Sequence, residues 1–114
     1  MQNPSLSADT PVSPDTPVME IATFRLLPGV SEADFLAAVR ATAPILARHR
    51  ALRARSLTCD RGEWSDIVEW SSLSAAMEAA EAVMADPAMT PLMVAIDPAT
   101  VQMRHIPIRW QIGG

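Results

Sequence analysis

The stretch from residue 52 to residue 70 constrains this chain most. Leu52 to Cys59 carries no helical stripe and stops at Asp60-Arg61-Gly62, after which Glu63 to Trp70 resumes with Ile67 and Val68. Two strand-like runs joined by a short glycine-containing turn, read here as three residues, make a β-hairpin. What flanks that hairpin decides the fold.

Upstream, Val18 to Leu27 (VMEIATFRLL) is apolar and β-branched and ends at Pro28-Gly29, so it reads as a strand. Ser31 then precedes Asp34 in an S-x-x-D capping pattern, and Phe35, Val39, Thr42 and Leu46 recur at helical spacing. This predicts a helix over 31–49, bent at Pro44. Downstream, Ser72 to Asp86 is rich in alanine and sets Leu73, Met77, Ala80 and Met84 along one face of a second helix. Met89, Leu92, Met93 and Ile96 keep helical spacing beyond Pro87, which predicts a short extra helical segment lying over the sheet as a lid. Thr100 to Ile108 is the last strand, with Pro107 at its limit. The order is β-α-β-β-α-β: an α+β, ferredoxin-like fold with a four-stranded antiparallel sheet and both helices on one face. In the first strand Met19, Ile21, Thr23 and Arg25 alternate with Glu20, Ala22, Phe24 and Leu26. Apolar residues on both parities predict that both sheet faces are covered, and a second copy packing sheet on sheet would supply the cover the helices do not.

At 114 residues, 49% hydrophobic and 19% charged, the chain fits one small domain, expected over 18–110 with a short tail at 111–114. Residues 1–17, MQNPSLSADTPVSPDTP, have neither the basic nor the apolar region of a secretory signal and read as a disordered tail. Cys59 stands alone, which excludes an intramolecular disulfide and points to the cytoplasm; no apolar run is long enough to cross a membrane. A net charge of −4 argues against nucleic-acid binding. The arginine cluster RHRALRAR, Arg48 to Arg55, reads as cations complementing a helix C-terminus, with an anion contact as the alternative. No ligand spacing for a metal and no phosphate-cradling glycine loop occurs, so neither metal nor cofactor is expected.

Trp64, Asp66, Val68 and Trp70 share a strand parity and project to one face. His105 shares one with Val101 and Met103, an otherwise apolar set, where it is either a satisfied core or interface residue or a base able to take a proton from a phenol or carbon acid. Asp66 is the candidate to orient it. His49 reads as a surface residue, and Cys59 has no nearby catalytic partner.

The strand end VEWSSLSAAMEAAEAVM and the tail DPAM…IDPATVQMRH, taken with the element order, resemble the dimeric α/β-barrel superfamily and within it the antibiotic-biosynthesis-monooxygenase-like group, over residues 18–110. The resemblance implies a homodimer whose two sheets close a barrel, with a cavity between sheet and helices in each subunit. It implies that some relatives oxidise aromatic polyketide-like molecules with O2 and neither metal nor flavin, and that others degrade haem. In such members a tryptophan at the position of Trp70 lines the cavity and an asparagine stands where this chain has Phe24. The haem-degrading members add a histidine on the second helix, and Ser72 to Asp86 has none. The expected ligand-binding residues are therefore Trp70, Phe24, Met77 and Trp64, each with core packing or a dimer contact as the alternative. The expected ligand is a small apolar or aromatic molecule. Two functions remain open: a cofactor-independent monooxygenase-like enzyme using His105 and Asp66, or a binding protein with no chemistry.

Overall fold

The computed structural model describes residues 12–113. Strands β1 (Val18–Phe24), β2 (Leu52–Asp60), β3 (Glu63–Trp70) and β4 (Gln102–Pro107) form one antiparallel sheet in the order β2-β3-β1-β4. Helices α1 (Glu32–Ala47) and α2 (Leu73–Met84) follow β1 and β3, and a short α3 (Thr90–Ala95) lies between two 3-10 turns.

Local chemistry sets these boundaries. The Ser31 hydroxyl accepts from the Asp34 amide at 3.1 Å and opens α1; Ser72 does the same for Ala75 at 3.1 Å and opens α2. Pro44 removes one amide that would bond the Arg40 carbonyl, yet α1 continues to Ala47 because Phe35, Thr42, Ile45 and Leu46 bury its inner face. In the hairpin, Asp60 pairs with Glu63 and leaves a two-residue loop, shorter by one residue than expected. Both loop residues are left-handed, Arg61 at φ 52° and Gly62 at φ 82°, the conformation whose twist matches the flanking strands.

The core is continuous from Val18 and Trp70 at one end of the sheet to Phe24, Phe35 and Trp64 at the other. Phe35 reaches down from α1 and meets Phe24 and Trp64 edge-on, with ring centroids 5.6 and 4.9 Å apart. Just past β1, the Leu27 amide bonds the Ala95 carbonyl at 2.9 Å and the Asp97 amide bonds the Arg25 carbonyl at 2.9 Å, which fixes α3 over that end of the sheet. The face away from the helices carries Met19, Ile21, Ile67 and Ile106, and no helix of the described residues lies over it.

Most of the tail expected over 1–17 lies outside the described residues. From Val12 onward the chain is attached to the domain: the Thr16 and Pro14 carbonyls accept from the Leu73 and Ser74 amides at 2.8 and 3.0 Å, and Pro17 accepts from Ile108 at 2.9 Å. Beyond β4, Trp110 and Ile112 are exposed, while the Gln111 side-chain amide donates to Glu69 at 2.9 Å.

Candidate functional site

The sheet register brings side chains from all four strands into rows on the helix-covered face. One row reads Arg55, Val68, Glu20, His105; the next reads Leu57, Asp66, Ala22, Met103; on the other side, Leu52, Trp70, Val18 and Pro107 follow each other. Above these rows α2, α3 and the turns around them leave a cavity of about 400 Å³. Its floor includes Glu20, Ala22, Phe24, Val68 and Trp70, and its roof Ala79, Ala80, Val83, Leu92 and Ile96. The lining is overwhelmingly apolar. Met84, Met93 and Met103 line it and are also exposed, so they rim its mouth between α2, α3 and β4.

Trp70 borders the cavity at 2% exposure, with the His49 ring edge-on at 6.2 Å. His49, expected on the surface, is thereby half-buried. The Trp70 indole N–H is buried and has no acceptor among the described residues. A buried donor left so costs on the order of 1–3 kcal/mol.

Asp66 does not orient His105. Its two oxygens take the Arg55 fork, Oδ1 from Nε at 3.0 Å and Oδ2 from Nη2 at 2.8 Å. Arg55 Nη1 donates to the Thr42 hydroxyl at 2.9 Å, and Thr42, fully buried in α1, donates its own O–H to the Val39 carbonyl at 2.6 Å. The physical reason is strand order: β1 lies between β3 and β4, so side chains on those strands stand about 10 Å apart, whereas Arg55 on β2 is an adjacent-strand diagonal neighbour. Arg55 thus belongs to the interior and not to a solvated cluster, while Arg48 closes α1 and pairs with Asp86 at 3.5 Å.

His105 instead meets Glu20, with Nε2 2.8 Å from Oε2. Glu20 borders the cavity and His105 stands behind it. Sequence reasoning passed over Glu20. Its parity with Ala22 and Phe24 was visible, but its pairing with β4 depends on a register that only the folded sheet supplies.

Two further expectations are corrected. Met77 is 53% exposed and does not line the cavity. Helix α2 turns Ala76, Ala79 and Val83 inward, one position round from the expected stripe. Trp64 is buried against Phe35 at the far end of the sheet, beside a separate shallow depression, and is core. Phe24 both lines the cavity and packs on Phe35. Among the described residues no group of His, Cys, Asp and Glu is arranged to hold a metal ion. Cys59 is a free, exposed thiol, and no described helix is long and apolar enough to cross a membrane.

No family model and no curated protein sequence matches the chain. Solved structures do. SnoaB, a cofactor-independent oxygenase from Streptomyces nogalater, superposes with a TM-score of 0.66 at 19% identity over 87% of this chain and 99% of that one. An assigned antibiotic biosynthesis monooxygenase from Bordetella bronchiseptica gives a TM-score of 0.70 at 20% identity over 83% and 99%. A nipsnap family protein of unknown function from Agrobacterium tumefaciens gives 0.62 at 22% identity over 82% and 89%. Likeness at these identities is one of architecture, since one fold hosts many chemistries. The chain has the ferredoxin-like fold of the antibiotic-biosynthesis-monooxygenase-like proteins.

Proposed function

We propose that the chain is a small monooxygenase-like enzyme of cytoplasmic type. It takes a flat, mostly apolar or aromatic molecule into the cavity beside Trp70 and oxidises it with O2 without a cofactor. The observation that carries the reading is the cavity itself: about 400 Å³, apolar on nearly all sides, with Glu20 on its floor and His105 bonded behind it. That volume falls within the ~300–1,000 Å³ of small-molecule sites. A ring system can lie against Val68 and Trp70, and a ligand oxygen can accept the unpartnered Trp70 N–H.

The chemistry balances without an outside reductant. A methylene flanked by aromatic rings loses a proton to a base of the Glu20–His105 pair, the carbanion passes electrons to O2, and CH2 plus O2 becomes C=O plus water. All four electrons come from the substrate. The apolar walls keep bulk water from the carbanion. The protein acts as a homodimer in this reading, its second copy covering the bare face that bears Met19, Ile21, Ile67 and Ile106.

The test is oxygen uptake by purified protein, without added metal or flavin, against anthrones and electron-rich polycyclic phenols, beside Trp70→Phe and His105→Ala. Uptake above the uncatalysed rate that falls in either variant supports the enzyme. A second reading, binding without chemistry, is favoured by one observation: Phe24 sits in an aromatic cluster where the resemblance implies an asparagine. A ligand that binds but consumes no O2 would select it.

A further inference from the structure

We infer that Glu20, not His105, is the group that takes the substrate's proton, and that His105 is its positioning residue. This rests on the cavity reading above and assigns roles within it. Three ionisable side chains border the cavity: Glu20, Arg55 and Asp66. Arg55 and Asp66 exhaust each other in a two-point fork, with the remaining Arg55 contact spent on Thr42. Neither has a base to offer. Glu20 differs. Its Oε2 meets His105 Nε2 at 2.8 Å, while no donor among the described residues reaches its Oε1, which is not sealed from solvent either. An ionised carboxylate only accepts, so the imidazole nitrogen facing it is the one that carries hydrogen. That bond holds Oε2 and leaves Oε1 unpartnered on a residue that borders the cavity. His105 stands on β4, on the far side of Glu20 from Arg55, and does not itself line the cavity.

The step is a proton transfer. The substrate C–H bond breaks, the Oε1–H bond forms, and the electron pair stays on carbon, delocalised into the aromatic ketone. The proton later leaves with the water formed in oxidation.

Deuterium exchange at the methylene of anthrone, followed by NMR in anaerobic D2O, isolates this step from oxygenation. Anthrone binding is followed separately by tryptophan fluorescence. The parent protein should accelerate exchange. Glu20→Gln should lose about a hundredfold or more of that acceleration while still binding anthrone, in the range a positioned base supplies. His105→Gln, which keeps an N–H for Oε2, should retain more exchange than His105→Leu, with anthrone affinity little changed in both. Glu78→Gln, on the exposed side of α2, should match the parent. Exchange by Glu20→Gln at the parental rate overturns the assignment, as does a parent that binds anthrone without accelerating exchange; in both cases the cavity reading stands. A parent that does not bind anthrone overturns the cavity reading and the assignment together.

Discussion

Replacing Asp66 with alanine strips Arg55 of the carboxylate that pairs with it among the described residues while leaving the guanidinium in place. The two side chains are 15% and 17% exposed, so the pair is mostly but not fully desolvated. Removing one partner of a fully buried pair costs ~3–5 kcal/mol, and an exposed pair is worth ~0–1. With the remaining solvent contact, Asp66→Ala should destabilise the protein by about 3 kcal/mol. Arg55→Met combined with Asp66→Leu removes both charges and fills the space, and should fall within about 1 kcal/mol of the parent. Urea unfolding followed by tryptophan fluorescence reads both, because Trp64 and Trp70 are buried on the strand that carries Asp66. Protein concentration must be held constant, since self-association would add to apparent stability. A loss under about 1 kcal/mol for Asp66→Ala would show that the fork behaves as a surface pair. Asp66→Asn also separates a strut from a catalyst: turnover that collapses at full stability would return Asp66 to the reaction.

Ala80→Phe places a ring in the cavity from its roof; because it fills existing space, stability should change by no more than about 1 kcal/mol while anthrone affinity falls at least about tenfold, measured by fluorescence titration beside circular dichroism. Ile21→Lys and Ile67→Lys put charges on adjacent strands of the helix-free sheet face and should convert a dimer to monomer in light scattering; a lysine pair that leaves the mass unchanged would remove that face from the interface.

Element type and order were legible because each depends on local pattern: the cap at Ser31, the alanine-rich run after Ser72, the alternation of β3, the glycine turn. The helical stripe of α2 was legible only to within one position. Its inward residues are Ala76, Ala79 and Val83, whereas hydrophobicity alone prefers the larger Met77, which is exposed, and Met84, which only rims the cavity mouth. The helix's rotation about its own axis decides between them, and no local pattern fixes it to within one position. Partner choice among the charged residues was illegible for a related reason. Asp66 and His105 share a face, but β1 lies between their strands. The Arg55 fork also depends on the irregular pairing between Leu52 and Ala54, which brings Arg55 opposite Val68.

The same register sets Phe24, where the resemblance implies an asparagine, apart from Glu20 along β1. Phe24 pairs with Trp64, at the end of the sheet closed by α1 and filled by aromatic rings. An amide there would have to displace packing that Phe35 and Trp64 now complete. Four residues back, about 13 Å along β1, Glu20 occupies the same face only two residues from the Val18–Trp70 pair, about 7 Å. Glu20 thus stands nearer Trp70 and β4, the side on which the methionine-rimmed mouth opens. In the proposed reaction, a ring lying over Val68 would meet its ionisable partner at Glu20 while its remaining apolar surface faces Phe24. That geometry favours substrates whose acidic hydrogen sits at the Trp70 end of the cavity, and disfavours those needing a hydrogen bond at the end where Phe24 lies.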